Sequence, residues 1–141
     1  MKLTICGSMD FARKMLEAKD ALERMGHVIE IPCDTHVIAS GNHNHKDPEA
    51  NFRHCVENDV VMDHFRLIAD SDGILVLNYP KNGIHGYVGG SSIMEIGLAY
   101  YLGKKIFMLF PPPSLEQQKY TDEIKLMNPV VLDGDLGKIK G

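Results

Sequence analysis

The order of apolar and polar positions predicts strands and helices that alternate along the chain. Residues 2–6 form a short apolar run that ends in a Gly-Ser turn, and apolar residues then recur at steps of three and four until Gly26. This spacing is typical of a helix with one buried face, and a glycine often follows a helix end. Residues 27–31 are a second apolar run. The start of the chain therefore predicts a strand, a helix and a second, parallel strand.

The later part of the chain continues this alternation. Residues 73–77 are apolar throughout, which predicts a central strand covered on both faces. Further strands are predicted at 105–110 and 128–132. Helical spacing recurs from 52 to 67 and from 92 to 102. About five strands thus alternate with helices.

A capping-box pattern and two long loops complete the prediction. Ser114 and Gln117 match the pattern that opens a helix, and Leu115 and Ile124 are expected on the inner side of that last helix. Loops as long as those predicted here cover a site or are disordered. They occupy residues 32–48 and 78–90.

The alternation predicts a single α/β domain over residues 1–141. Its fold is expected to be doubly wound (Rossmann/flavodoxin-like), an open sheet of about five mostly parallel strands with helices on both faces. Ligands bind such sheets beyond the carboxyl ends of the strands. This rule indicates three segments: residues 7–9, residues 78–92 and the loop after Phe110.

Charge and composition narrow the class of partner. Fifteen Lys and Arg against nineteen Asp and Glu give a net charge of −4, without the basic excess of a protein that binds a nucleic-acid polymer. The longest apolar run is too short to span a membrane, and the N-terminus lacks the layout of a signal peptide. The three separated cysteines fit reduced thiols in a cytoplasmic protein. We expect no membrane partner and no cofactor.

Glycines and hydroxyl groups precede two of the predicted helices. Backbone N–H groups at a helix N-terminus bind anions, and glycine lets a ligand approach the backbone closely. A tight turn or a helix cap would also account for these residues, and one residue can serve both purposes. The candidate ligand contacts are Gly7, Ser8, Asn78, Gly89, Gly90, Ser91 and Ser92.

Glu95 has two interpretations. Ser92 and Glu95 match the capping-box pattern, in which the carboxylate reaches back to the backbone of Ser92. Alternatively, a carboxylate in the first turn of a helix, kept ionised by the helix dipole at the ligand edge of the sheet, could act as a nucleophile. Asp63 and His64, placed on the last two turns of their predicted helix, are candidates for the proton-transferring partner or members of a solvated face.

A metal site is not expected. His43 and His45 have a spacing that can chelate a metal, and His36 and Asp47 lie nearby, but a third ligand at a recognised spacing is missing. The chain also lacks a CxxC motif. A solvated loop is the preferred interpretation of these histidines.

Three stretches resemble the nucleoside 2-deoxyribosyltransferase superfamily, which includes the deoxynucleoside 5′-monophosphate N-glycosidases. The segment similar to that superfamily covers about residues 2–110, and only residues 87–105 are specific. It looks most like a branch with a "YIGG…E.G.AY…GKKI" signature. The matching stretches are Ile5-Cys-Gly-Ser8, Ser71-Asp-Gly-Ile-Leu-Val-Leu-Asn78, and Tyr87-Val-Gly-Gly-Ser-Ser-Ile-Met-Glu-Ile-Gly-Leu-Ala-Tyr100 with Gly103-Lys-Lys105.

The resemblance implies binding of a nucleoside or nucleotide and cleavage or transfer at its N-glycosidic bond. It implies that Glu95 is the nucleophile, and it puts an acidic residue eight positions before Asp72. That position is His64 here, with Asp63 one residue further, so the family's aspartate is displaced or replaced. The glycine- and hydroxyl-rich stretch before Glu95 resembles that of the monophosphate hydrolases, where it receives the 5′-phosphate.

Other functions remain open at this point. A nucleotide-binding or sensing module without turnover fits the same fold, because fold does not determine function. A hydrolase using Ser91 or Ser92 is a third alternative, without a visible nucleophile elbow or triad.

A homodimer or higher homo-oligomer is expected. The resemblance implies pockets completed by a neighbouring chain. Apolar residues on more than one side of the predicted second helix agree with this, because one sheet face can cover only one side. These residues are Phe52, Val61 and Phe65.

Overall fold

Five parallel strands form an open sheet in the computed structural model, which describes residues 1–140; Gly141, the end of the Gly/Lys tail, lies outside the described residues. The strand order is β2-β1-β3-β4-β5. This is the order of a flavodoxin-like doubly wound fold, and it confirms the predicted fold class. The strands are β1 (Lys2–Gly7), β2 (Val28–Glu30), β3 (Gly73–Leu77), β4 (Lys105–Met108) and β5 (Val130–Val131).

Helices cover both faces of this sheet. Helix α1 packs on one face, where Met15 and Leu22 meet Leu3 and Ile5 of β1. Helices α4, α5 and α6 contribute buried side chains to the opposite face. The helices are α1 (Ala12–Arg24), α2 (Thr35–Ala39), α3 (Pro48–Glu57), α4 (Val60–Ala69), α5 (Gly90–Tyr101) and α6 (Thr121–Leu126).

Strand β3 is the centre of the sheet, as its apolar sequence predicts. All five of its residues are buried, and it pairs with β1 on one side and β4 on the other. Glycine is required at Gly73, because a Cβ there would lie 2.7 Å from the carbonyl oxygen of Lys105. Burial of each large aliphatic side chain stabilises the folded state by about 1.5–3 kcal/mol. The buried side chains of β3 therefore hold the neighbouring strands in place.

The helical stretch predicted from 52 to 67 is two helices, α3 and α4. Asp59 between them has a φ of 45°, a left-handed conformation that ends the first helix and redirects the chain. Asn58 and Asp59 are residue types that tolerate this conformation. As a result, Asp63 and His64 lie near the start of α4, whereas the sequence placed them on the last two turns of one long helix.

Two other element predictions were wrong. The capping-box pattern at 114–117 forms a turn, and the last helix, α6, begins only at Thr121. Ile124 is buried as expected, but Leu115 is 48% exposed because it precedes that helix. The predicted loop 32–48 contains the short helix α2, whose Thr35 hydroxyl donates to the carbonyl oxygen of Pro32.

A helix that spans a membrane must be both long and apolar. Helix α1, with 13 residues, is shorter than the roughly 20 residues that cross a bilayer. Within residues 1–140, no helix combines the length and apolar character of a membrane span.

Candidate functional site

A cleft of about 310 Å³ lies at the carboxyl ends of β1 and β3, where the strand order reverses direction. It is lined by residues after β1, β2 and β3 and by the first turns of α4 and α5. Two of the three predicted segments, 7–9 and 78–92, therefore contribute to it. The third, the loop after Phe110, lines a separate cavity of about 450 Å³ with Pro111–Pro113.

Glu95 and His64 form the inner wall of this cleft. Oε2 of Glu95 lies 3.4 Å from Nε2 of His64, and Sγ of Cys6 lies 3.5 Å from the same ring nitrogen. The three side chains come from α5, α4 and β1, and each is at most 9% exposed. Cys6 on the sheet therefore contacts the two cleft residues from behind, a role that no local feature of the sequence indicates.

Burial sets the charge of this cluster. It raises the pKa of the Glu95 carboxyl to about 8, although a hydrogen bond with Cys6 opposes the shift. It lowers the pKa of the His64 imidazole to about 4, against the opposing effect of Asp63. The separation of 3.4 Å would suit an ion pair, but the loss of hydration favours the neutral form of both groups. At neutral pH the cleft therefore holds a protonated carboxyl beside a neutral imidazole.

The predicted capping box at Ser92 is wrong, and so is the predicted ionisation of Glu95 by the helix dipole. Helix α5 begins at Gly90, with Gly89 as its N-cap residue, so Glu95 lies in the second turn. There the dipole is weaker and desolvation dominates the pKa. Glu95 thus serves as a wall of the cleft rather than as a helix cap.

The outer part of the cleft is suited to an anion. The first hydrogen bond within α5 runs from Ile93 N–H to the Gly89 carbonyl oxygen. The N–H groups of Gly90, Ser91 and Ser92 precede it and are not used within the helix. All three residues line the cleft.

Lys81 adds a positive charge to the cleft lining, and no motif in the sequence indicates it. Among residues 1–140 it is the only lysine or arginine in the lining. Its ammonium donates to the hydroxyl of Ser8 at 2.9 Å, lies 3.0 Å from a carboxylate oxygen of Asp10, and lies 5.2 Å from the ring centre of Tyr87. These contacts hold the cation at one end of the cleft.

Gly7 lies where the backbones of β1 and β3 approach each other too closely for a side chain. Its φ is 154°, and a Cβ there would lie 2.9 Å from the carbonyl oxygen of Leu77. Gly7 and the following Ser8 both line the cleft. Glycine at this position therefore lets β1 lie close to β3 at the point where the chain turns into the cleft.

The loop that contains His36, His43 and His45 borders the cleft. His45 lines it and lies 2.6 Å from the Asp10 carboxylate. Burial disfavours the charge of Asp10, but the hydrogen bonds with His45 and Lys81 outweigh it and lower the pKa of that carboxyl. His43 stacks on the ring of His54 and contacts Asn51. The loop predicted to be solvated is thus attached to the body of the protein at both of these histidines, while His36 is exposed.

Two candidate residues lie outside the cleft lining. Asn78 is buried, and its amide binds the backbone of Phe110 in both directions, at 2.8 and 2.9 Å. Asp63 lies near the Cys33 thiol; burial raises the pKa of that thiol to about 11, and the nearby carboxylates of Asp34 and Asp63 add to the shift. Asn78 therefore connects two loops, and the structure brings His64 but not Asp63 to Glu95.

Asp34 is an acidic residue of the lining that sequence reasoning missed. It follows β2, is 7% exposed, and has its carboxylate 3.7 Å from Nε2 of His54. It lies just before α2, in the segment read as an irregular loop. A ligand-edge rule that also counted the end of β2 would have selected it.

Comparisons with known proteins give no further assignment. No protein-family model, curated protein or solved structure matches the chain. What the cleft can do therefore follows from its own residues: a buried carboxyl and imidazole on the inner wall, and a cation with free helix amides at the outer end.

Proposed function

We propose that this protein binds a nucleoside 5′-monophosphate and cleaves its N-glycosidic bond, with Glu95 as the nucleophile. The observation that carries the proposal is one cleft that holds the Glu95 carboxyl at its inner wall and an anion-binding end at Lys81 and the start of α5. Its volume is at the lower end of the roughly 300–1,000 Å³ typical of small-molecule sites. The sequence resemblance to the deoxynucleoside-monophosphate N-glycosidases supports the same assignment.

The phosphate would bind at the outer end. Free N–H groups at a helix N-terminus, hydroxyl groups and an ammonium are the donors that phosphate prefers. The sugar would then extend towards Glu95, with Gly7, Gly89 and Gly90 allowing it to lie against the backbone. A phosphate anchored at a distance from the reacting bond fixes the orientation of the sugar.

The reaction would follow the double displacement of retaining glycosidases. A Glu95 carboxylate oxygen attacks the anomeric carbon while the bond from that carbon to the base breaks, and the base leaves with a proton. Asp34 and His64, both in the lining, are our candidates for transferring this proton; Asp63, which lies outside the lining, would act only after moving towards the cleft. Water attacking the resulting ester gives hydrolysis, and a second base attacking it gives transfer.

The same proposal includes a second copy of the chain. The cleft opens among Val60, Val61, Phe65 and Met94. Val61 and Met94 are each 51% exposed, and Phe52 on α3 is 72% exposed. A partner chain covering these residues would exclude water from the sugar, which the proposed ester intermediate needs.

A nucleotide-binding module without turnover is the second candidate. The protonated state of Glu95 at neutral pH and the position of Asp63 against Cys33 favour it. Such a module would bind the monophosphate in the same cleft and release no base. The two candidates therefore make opposite predictions for the same incubation.

The deciding experiment is incubation with a panel of ribo- and deoxyribonucleoside 5′-monophosphates at pH 8.5, with chromatography of the released base. The N-glycosidase proposal expects base release by the wild-type protein and its loss in Glu95→Gln, which keeps the size of the side chain. Glu116→Gln, an exposed glutamate outside the cleft lining and away from α3, is the matched control and should keep full activity. Binding of a monophosphate with no released base would refute the N-glycosidase proposal and support the non-catalytic nucleotide-binding module.

A further inference from the structure

Cys6, His64 and Glu95 present three different metal-ligating atoms to one point inside the protein. The Cys6 sulfur, a ring nitrogen of His64 and a carboxylate oxygen of Glu95 all lie within 4.8 Å of one another. Each belongs to a different element, β1, α4 or α5, so the set exists only in the folded protein. All three side chains are buried.

The two distances to His64 match two edges of a tetrahedron around a zinc ion, and the distance from nitrogen to oxygen is longer than an ordinary hydrogen bond. Bond lengths of about 2.3 Å to sulfur, 2.05 Å to nitrogen and 2.0 Å to oxygen around a tetrahedral zinc ion separate sulfur from nitrogen by about 3.6 Å and nitrogen from oxygen by about 3.3 Å. The separations in the protein are 3.5 and 3.4 Å. A nitrogen–oxygen hydrogen bond is normally about 2.7–3.2 Å.

The two contacts also compete for a single atom. Both the Cys6 sulfur and the Glu95 oxygen lie beside Nε2 of His64. That nitrogen can offer one proton or one lone pair, so it can satisfy only one neighbour by hydrogen bonding. A cation between the three atoms would bind all of them at once.

We propose that Cys6, His64 and Glu95 form a binding site for Zn²⁺. A thiolate, an imidazole and a carboxylate together suit zinc, and the thiolate disfavours Mg²⁺ and Ca²⁺. On binding, the Cys6 thiol and the Glu95 carboxyl each release a proton to solvent, and no atom is oxidised or reduced. His64 and Glu95 line the cleft with Cys6 behind them, so the fourth ligand position faces the cleft and is filled by water.

Zinc in this position would prevent Glu95 from attacking a sugar, because the carboxylate lone pair is bound to the ion. The site would thus give a zinc-inhibited form of the protein. This consequence rests on the proposed N-glycosidase function, whereas zinc binding itself does not.

The binding test uses Co²⁺ as a spectroscopic substitute for zinc, added to the reduced wild-type protein without nucleotide. We expect one equivalent of Co²⁺ to give a near-ultraviolet thiolate-to-cobalt band and the strong visible bands of a tetrahedral ion, both abolished by Zn²⁺ and unaffected by Mg²⁺. Cys6→Ala should lose the near-ultraviolet band. Cys33→Ala, which removes another cysteine that lines the same cleft, should keep it.

Two further variants make the outcome decisive. Cys6→Ser keeps the approximate volume of the buried side chain, and His64→Gln removes the imidazole nitrogen that would bind the ion. Each variant should weaken Zn²⁺ binding by more than about a hundredfold in calorimetry, because even loss of a residue that only supports a metal ligand costs about 10–100-fold. Circular dichroism checks that each variant is folded. No cobalt band in the wild type, or a band that survives Cys6→Ser and is lost in Cys33→Ala, would overturn the site. Zinc binding, together with no base release by the zinc-free protein, would instead refute only the enzymatic proposal.

Discussion

The burial of one carboxyl, Glu95, predicts the pH dependence of the proposed reaction. A nucleophile must be ionised, and desolvation raises the pKa of Glu95 to about 8. We therefore expect the rate of base release to rise about tenfold per pH unit below pH 8 and to level off above it. Initial rates between pH 7 and 9.5 measure this, since the substrate phosphate, with a second pKa of about 6, is about 90% ionised or more there.

The profile also distinguishes the roles that Glu95 could have. A rate that falls between pH 7 and 9 would mean that the protonated carboxyl is the active form, so that Glu95 donates a proton instead of attacking the sugar. A flat profile would mean that another group carries the reaction. Circular dichroism at each pH is the control for unfolding.

The Glu95 carboxyl also makes the free energy of unfolding depend on pH. Its pKa is about 8 in the folded protein against 4.5 as the ordinary value, so the folded state binds more protons between these pH values. The free energy of unfolding should therefore fall as pH rises from about 4.5 to 8, by up to about 1.4 kcal/mol per pH unit from this group. Glu95→Gln should lack this decrease.

Urea unfolding at pH 5 and pH 8.5 tests the stability prediction. Relative to wild type, Glu95→Gln should gain several kcal/mol more at pH 8.5 than at pH 5, of the order given by the pKa shift. The lowered pKa of His64 also reduces stability as pH falls from 6.5 to 4, and His64 contacts Glu95, so the same comparison is repeated in the His64→Gln background. Equal differences at the two pH values would refute a buried, neutral Glu95. Glu116→Gln is the exposed control.

The element that decides ligand preference is the N-terminus of α5 together with the loop after β3. The Lys81 ammonium lies 5.2 Å from the ring centre of Tyr87, and that ring borders Gly89, the N-cap residue of α5. This places the lysine near the free amides of Gly90 and Ser91. We expect Lys81→Met to weaken binding of a nucleoside 5′-monophosphate by about 10- to 100-fold, the worth of one hydrogen bond to a charged group, and to leave the matching nucleoside unchanged.

Calorimetry with the matched pair of ligands separates this effect from a general loss of the site. In the wild type the monophosphate should bind more tightly than the nucleoside. Lys119→Met, an exposed lysine outside the lining, should behave like the wild type. Equal affinity of the wild type for both ligands would contradict a phosphate site at this end of the cleft.

At the scale of the whole molecule, the exposed apolar side chains around the cleft predict a dimer. Phe52 and Val56 on α3 are 72% and 63% exposed, and Val61 on α4 continues this surface towards the cleft. Covering such residues releases water and is favourable, and a symmetric pair lets the same surface cover itself. Light scattering at micromolar concentration should give twice the mass of one chain.

Phe52→Glu tests which surface pairs. A charge at the centre of the α3 surface should convert the dimer to a monomer and reduce any base release. Tyr101→Glu changes an aromatic residue that is 86% exposed at the far end of α5, and it should leave the dimer intact. A wild-type monomer, or a dimer that persists in Phe52→Glu and dissociates in Tyr101→Glu, would contradict pairing through α3.

The sequence by itself determined the fold class and most of its strands and helices. Apolar spacing is a local property of the chain. It predicted α1 because a helix buried on one face repeats apolar residues every three to four positions, and it predicted β3 because a strand buried on both faces is apolar throughout. It failed between α3 and α4, where the left-handed Asp59 interrupts a spacing that continues through both helices. It also failed at α5, where the chain enters the helix at Gly90 and Ser92 does not cap it.

Only the tertiary structure decided which residues share the cleft and which charge they carry. Lys81 reaches Ser8 across 73 positions of the chain, and Cys6 reaches His64 across 58. Glu95 is protonated at neutral pH because β1 and α4 exclude water from its carboxyl, a property that its own helix does not encode. Periodicity reports which face of an element is buried, whereas distances and desolvation depend on what other elements bring to that face.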